Sequence, residues 1–560
     1  MSIPMRLLSP GLWILPLLGG LFCAVFLGEA LTSLAGGGWT FFDFLGKTWH
    51  PDVQKWGLLP MLAGSLETAL LAWALAFPWA LALSVGIIAG PRWLRSMEIL
   101  IHGLLGIPSL LYGFFSVCTL VQVLRYLGVG SGYSGIAVGC TLAVLILPTL
   151  CLGFLEGWRQ IPPAMWQTTQ RLGYTPLQQA RALLPALAPS IQRSTWLGIG
   201  RALGDCMVAL FVSGNIAQIP LHPADGVRTL SAHMALVAGL DPFSPGFASL
   251  FAAAGFLVLL AWGLPLLLRK ATTPCIRWHR FPRVEAWLWC SLVGLAPCLL
   301  LTLWLSMGTY IGLELYEGIR VTPLIQWAGW VIPFSTSLLL AGCTVAVVVP
   351  LGTWIAVRLW TTRSPFLRRC NEAVLQFFAS LPSLWIGIGG LLGVIALRRM
   401  GGGTSIGLGL GVALFCLSLL ALPAMVHTLQ AGLAQLPAEW RKTGDLLGYS
   451  QRWMWWRVVL PYLAPHLRHG ALLVAVRALE DTAVCLVTGA VAFAAFPTGI
   501  WGGFSPLSFQ IFFLADQYRN EAERSQLFVM GILWISATWL LLGVRHLLTP
   551  AQPRRAGGMR

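Results

Sequence analysis

The chain has 560 residues, of which 57% are hydrophobic and 10% charged, with 27 tryptophans and a formal net charge of +16. Soluble domains carry about 25% charged residues, so this composition excludes a water-soluble enzyme or binding module and points to a protein that lives in a bilayer. The positive charge does not mark a nucleic-acid binder: with the N-terminus inside, 25 of the 36 Lys and Arg fall in segments on the cytoplasmic side and 9 outside, the asymmetry of membrane proteins.

A helix needs about 20 apolar residues to cross the hydrocarbon core. Twelve segments qualify, near 11–33, 59–90, 97–124, 133–155, 196–216, 246–268, 286–308, 328–357, 371–397, 404–427, 471–496 and 525–547. The expected fold is an all-α integral membrane protein with about 12 transmembrane helices. The first segment, "LWILPLLGGLFCAVFLGEAL", is preceded only by Arg6 and lacks a small-residue cleavage pattern, so it reads as a retained span. After it, "FFDFLGKT" (41–48) ends like a phosphate-binding loop but has Phe41 in place of the first glycine; the match is chance. The twelve cysteines form no C-x-x-C pair and the nine histidines no ligand spacing, so a metal site is not expected. His466 and His469 fall in a cytoplasmic loop, where solvation is expected. The glycine groups 401–403 and 407–411 read as close-packing sites.

Further along, the signals repeat. "SLETALLAWALAFP" (65–78) pairs with "SLLLAGCTVAVVVP" (337–350), "IPSLLYG" (107–113) with "LPSLWIG" (381–387), and "LILPTL" (145–150) with "LLALPAM" (419–425), at offsets of 272 to 275 residues. The longest pair is 161–191 with 436–467, in which Gly173-Tyr174 matches Gly448-Tyr449 and Pro185 and Pro189 match Pro461 and Pro465, with one extra residue in the second copy. The chain thus divides into 1–275 and 276–560, each with six spans, joined by the basic linker 269–283. An even number of spans makes the repeats parallel. Between the fourth and fifth spans of each half lies a cytoplasmic segment, 156–195 and 428–470, whose breakers imply a helix, a glycine turn and a second helix ending at Leu-Pro.

This arrangement resembles the permease subunits of ATP-binding-cassette (ABC) importers, with their type I fold, whose loop at this place carries a Glu-Ala-Ala…Gly…Pro pattern and binds the ATPase. "GIPSLLYGFF" (106–115) and "GRALGDCMVALFVSGN" (200–215) look like the phosphate-specific permeases, with their G-I-P-S-x-x-Y-G-F-F and G-R-A-L-G-E-T patterns. "LPSLWIGIGGL" (381–391) and "RALEDTA" (477–483) are similar to the companion permease of that system, so the chain looks like a fusion of two permeases. The loop glutamate of the pattern falls at Gln167 and Lys442, and its alanines at Thr168-Thr169 and Thr443-Gly444. Gln167, Thr168, Gly173 and Pro185, with Lys442, Thr443, Gly448 and Pro461, are the candidate ATPase-coupling residues. The family acid of span five falls at Asp205 in the first half and at Glu480-Asp481 in the second.

Charged groups at mid-membrane cost about 2.5–3.5 kcal/mol each on insertion scales and usually carry function. Arg201 and Asp205 are four residues apart, as are Arg477 and Asp481, a spacing that places each pair on one helix face. One reading is an ion pair that pins helices near the interface. The other is an oxyanion gate in which the two arginines face each other across the pseudo-twofold axis, since a guanidinium binds phosphate through paired hydrogen bonds. Ser213, Asn215 and Thr488 are candidate polar lining. What the resemblance implies is a permease of the bacterial inner membrane for inorganic phosphate. It binds no cofactor itself. Its partners would be two copies of an ABC ATPase carrying ATP and Mg, an extracytoplasmic phosphate-binding protein and membrane lipid, with no nucleic acid. Another oxyanion or ferric iron is the competing substrate. The competing functions are a proton-coupled secondary transporter and a non-transporting scaffold, the latter leaving the charges unexplained.

Overall fold

The computed structural model of the chain describes residues 14–36, 41–90, 94, 96–240, 244–263, 312, 316, 324–362, 364–401, 407–434, 436, 446–491, 496–517 and 520–548. The expected span near 286–308, the linker 269–283, and Lys442 and Thr443 lie outside these residues. In chain order, α1 (Ile14–Gly36) precedes a two-stranded antiparallel hairpin, β1 (Trp49–His50) and β2 (Lys55–Trp56). There follow α2 (Leu59–Ala89), α3 (Met97–Leu105), α4 (Ser109–Cys118), α5 (Leu120–Tyr126), α6 (Gly135–Gln160), α7 (Pro163–Arg171), α8 (Pro176–Leu183), α9 (Ala188–Gly204), α10 (Met207–Val212), α11 (Leu230–Val237) and α12 (Pro245–Val258). The second half contributes α13 (Leu324–Thr361), α14 (Pro365–Ser380), α15 (Ser383–Gly401), α16 (Leu410–Ala434), α17 (Leu460–Glu480), α18 (Thr482–Val487), α19 (Leu507–Gln517) and α20 (Glu521–Leu548).

Among the described residues, seven helical stretches are long and apolar enough to cross a membrane, or eight if one bent pair counts as a span. Several expected spans differ from single helices, for local reasons. The segment near 97–124 is broken between α3 and α4, because Pro108 has no N–H and adopts an extended ψ of 139° as it caps α4, and again between α4 and α5 at Thr119, whose φ is −117° and ψ −71°. The segment near 371–397 bends by 103° between α14 and α15, at Leu381-Pro382. The segments near 196–216 and 471–496 break at their acidic residues.

The chain forms two compact units. One comprises Ser33–Pro323, Leu514–Ile532 and Gly557–Arg560, and its centre is α2 packed along α6, with α9 against both. The α6–α9 contact is close because small residues meet there. A Cβ on Gly157 would lie 2.5 Å from the Cβ of Ser190, and one on Gly153 would collide with Ser194. This is the small-residue spacing that lets helices approach in lipid, where the hydrophobic effect no longer drives them together. Gly139 of α6 makes the same allowance for Leu71 of α2. Phe528, from the C-terminal part of the chain, closes this unit by stacking on Phe115 at 5.5 Å.

The other unit comprises Met1–Thr32, Leu324–Phe513 and Leu533–Ala556. Its core joins α13, α16 and α17 through Val348, Ile355, Met425, Leu463 and Val474, and includes Leu15 of α1. α1 lies along α14 and α15: Phe22 meets Phe378 edge-on at 5.6 Å and Phe26 stacks on Trp385 at 4.7 Å. Near the far end of α1, Glu29 pairs with Arg399 at 2.8 Å; Arg398 and Arg399 fall on the outer side of the expected topology, against the charge asymmetry, and the pair neutralises one of them. His466, expected to be solvated, instead rests its ring on Gly432 of α16, where no side chain stands in the way. The 407–411 glycines admit the 500–502 backbone, with Gly411 donating to the Ile500 carbonyl at 2.7 Å.

One hydrogen bond recurs in both units. Ser65 of α2 accepts the Leu230 N–H at 2.7 Å, and Ser337 of α13 accepts the Leu507 N–H at 2.8 Å. Each buried hydroxyl fixes the start of a short helix, α11 or α19, satisfying a backbone donor that lipid could not.

Candidate translocation site

The two charged pairs lie where a span breaks. α9 ends at Gly204, and Asp205 adopts extended dihedrals of −78° and 115°. α17 ends at Glu480, and Asp481 does the same at −87° and 92°. Asp205 accepts the Val208 N–H of α10 through Oδ1 at 2.9 Å, and Asp481 accepts the Val484 N–H of α18 at 3.0 Å. Asp481 is therefore the N-cap of α18, and Asp205, one residue before the α10 N-cap Cys206, accepts an N–H of that helix in the same way. This corrects the expectation that Arg201 and Asp205, or Arg477 and Asp481, share a continuous helix face. A break inside a span leaves backbone groups without partners, and a short acceptor side chain at the break supplies one.

Around Asp205 the remaining groups are also engaged. Its carbonyl accepts the Ser231 hydroxyl at 3.0 Å, and the hydroxyl of Ser109, the first residue of α4, hydrogen-bonds its carboxylate. Arg201, in the last turn of α9, donates from Nη1 to the Thr149 hydroxyl of α6 at 2.9 Å. That location suits a cation, since the C-terminal end of a helix carries partial negative charge. Arg477 occupies the last turn of α17 and is exposed, while Glu480 and Asp481 are half-buried.

The expected lining residues have other work. Ser213 is fully buried; its hydroxyl donates to Asn215 Oδ1 at 3.2 Å and accepts the Asn215 N–H at 3.1 Å. Asn215 sits in the left-handed region at φ 52°, donates to the Leu210 carbonyl at 2.9 Å, and accepts Arg228 Nε on its own carbonyl at 2.9 Å. Thr488 is also fully buried and returns its hydroxyl to the Val484 carbonyl at 2.8 Å. Ser213, Asn215 and Thr488 shape the turns after α10 and α18. Ser65, Ser109, Thr149 and Ser231 went unremarked as site residues in the sequence, although Ser65 and Ser337 head one of the aligned repeats.

Segment 156–195 has the expected helix, glycine turn and helix. α7 ends before Gly173, whose φ of +74° turns the chain. α8 then starts with a capping box between Thr175 and Gln178, and Leu184–Leu187, containing Pro185, forms a tight 3-10 turn into α9. Gln167 and Thr168 lie on α7, where Thr168 is exposed and returns its hydroxyl to the Ala164 carbonyl at 2.8 Å. In the second segment Gly448 has φ +71° and Pro461 sits in the first turn of α17. Its approach differs: Trp455–Val459 is a π-turn. A π-turn absorbs one extra residue in a helix, and the second copy is one residue longer between Gly448 and Pro461. "FFDFLGKT" is a 3-10 turn, Phe41–Leu45, leading into the hairpin with Gly46 against Gly57. Among the described residues no cluster of three or more His, Cys, Asp or Glu could hold a metal ion.

Long apolar helices, two spans broken at an arginine and an acid, and helical segments between spans four and five define a membrane transport permease. Residues 348–552 match the family described as "Binding-protein-dependent transport system inner membrane component". The chain is 30% identical over 223 residues to a Bacillus subtilis (strain 168) protein named "Probable ABC transporter permease protein YqgH", covering 38% of this chain and 72% of the relative. It is 27% identical over 216 residues to a "Phosphate transport system permease protein PstC" of Xylella fastidiosa (strain Temecula1 / ATCC 700964), covering 34% of this chain and 67% of the relative. A PstC of Mesorhizobium japonicum is 25% identical over 291 residues, 47% of this chain and 86% of the relative. The chain belongs to the ABC permeases of binding-protein-dependent transport systems, with the type I fold. It is a multi-pass protein of the bacterial inner membrane, a transport component whose family works with an ATPase and a substrate-binding protein.

Proposed function

We propose that this chain forms the whole translocation path for inorganic phosphate in an ATP-driven importer, as a fusion of two permeases. The observation that carries the reading is the recurrence of one construction 276 residues apart: an arginine in the last helical turn and an acid capping the next helix, at Arg201 and Asp205 and again at Arg477 and Asp481. The phosphate assignment is supported by the relatives named as phosphate transport permeases. A guanidinium suits a tetrahedral oxyanion because its fork donates two parallel hydrogen bonds.

In this reading Arg201 and Arg477 attract the anion, and Asp205, Glu480 and Asp481 keep the site from holding it too tightly. Two ATPase subunits dock at 156–195 and 428–470, and ATP and Mg are bound there and not by this chain. A phosphate-binding protein delivers the anion from outside, and ATPase closure rocks the permease between inward- and outward-open states. The test is reconstitution with the ATPase and binding protein, following labelled phosphate with and without ATP, with sulfate, molybdate and phosphonate as competitors. ATP-dependent uptake that only unlabelled phosphate dilutes is the expected result. Proton-driven uptake without ATP overturns the mechanism, and competition by another anion overturns the substrate.

A further inference from the structure

The π-turn of the second coupling segment places aromatic rings at a definite depth. α13 is a membrane span whose apolar run stops at Val357, before Arg358, and whose helix ends at Thr361, so Trp360 stands just beyond the edge of the hydrocarbon. Trp455 of the π-turn meets Trp360 edge-on at 6.1 Å, which brings the turn to headgroup level. One turn back on α13, Arg358 lies 5.5 Å over the Trp354 ring, the geometry of a cation–π contact. Beside Trp455, Trp456 is 65% exposed and Arg457 is exposed. The first copy has Gln179 and Ala180 where the second has Trp455 and Trp456, and Ala180 is buried. The extra residue that widens the helix therefore turns an indole outward in one half only, beside an arginine, Arg457, whose counterpart in the first copy is the exposed Arg181.

We propose that Trp456 and Arg457, with Trp360 beside the turn that carries them, bind the headgroup of an anionic phospholipid and anchor the second coupling segment to the inner leaflet. Indole rings prefer the headgroup zone and arginine pairs with the phosphodiester; the depth set by Trp360 and the local positive charge both favour lipid over a soluble partner. This reading is independent of the transported substrate.

The full chain is purified in detergent and its lipid adducts are counted by native mass spectrometry during titration with phosphatidylglycerol or with phosphatidylcholine. Arg457→Gln is expected to weaken the tightest phosphatidylglycerol adduct about five-fold, the effect of one basic residue at an anionic surface, while Arg457→Lys keeps it and Arg171→Gln, in the first segment, leaves it unchanged. Trp456→Ala is expected to weaken the adduct as well. Four results overturn the proposal: unchanged adducts in Arg457→Gln, equal retention of phosphatidylcholine, displacement of the lipid by free inorganic phosphate, or variants that keep their lipid but no longer co-purify with the ATPase.

Discussion

Asp205 separates two roles for an acid inside a membrane span, and two substitutions tell them apart. Its Oδ1 accepts the Val208 N–H at 2.9 Å where α9 gives way to α10. Asp205→Ala removes that acceptor and leaves the donor of a buried residue without a partner. Loss of an N-cap costs about 0.5–2 kcal/mol, and an unsatisfied buried donor about 1–3 kcal/mol. At about 2–4 °C for each kcal/mol lost in a large domain, the melting temperature is expected to fall by several degrees. Asparagine caps helices as well as aspartate, so Asp205→Asn should melt within about 1 °C of the parent while removing the charge near Arg201. The assay is tryptophan fluorescence during heating in detergent at one fixed scan rate, because large proteins often unfold irreversibly, paired with ATP-dependent uptake in vesicles. Uptake lost in both variants, with stability lost only in Asp205→Ala, assigns the carboxylate both tasks. If Asp205→Asn melts as low as Asp205→Ala, the capping argument fails.

Three further expectations follow from the geometry. Ser65→Ala and Ser337→Ala each strand a buried N–H, of Leu230 and Leu507, and should each destabilise by about 1–3 kcal/mol; equal melting of parent and variants would refute this. Gly157→Ala should lower the melting temperature because its new Cβ would lie 2.5 Å from that of Ser190, and Ser190→Gly in the same chain should recover part of the loss. Arg201→Ala and Arg477→Ala should abolish uptake while the complex still co-purifies with its ATPase; parental uptake in either variant removes that arginine from the path.

Length and hydrophobicity settled a good deal in advance, because whether a segment can cross a bilayer depends on its own apolar run. The long helices α2, α6, α13 and α16 lie close to where composition put them. The helix, glycine turn and helix of 156–195 were legible because Gly173 and the Leu-Pro step act on their own backbone. Breaks at Pro108 and Pro382 were written in the sequence too, yet the hydrophobic runs across them read as single spans.

What the sequence could not decide is how the acids are used. Four-residue spacing implies a shared face only while the helix continues, and α9 and α17 end before their aspartates. At the α9 break the partners lie far along the chain, Ser109 and Ser231 around Asp205, and the starts of α11 and α19 likewise rest on serines about 165 to 170 residues away. The extra residue before Pro461 was visible as a count, whereas its conversion into a π-turn that lays Trp455 on Trp360 required α13 to be in place. Sequence alone determined the membrane class and the longest apolar helices, since these arise from local hydrophobicity and backbone chemistry; tertiary structure decided where spans break and which polar groups satisfy one another, because in lipid each broken helix must find its hydrogen bonds within the protein.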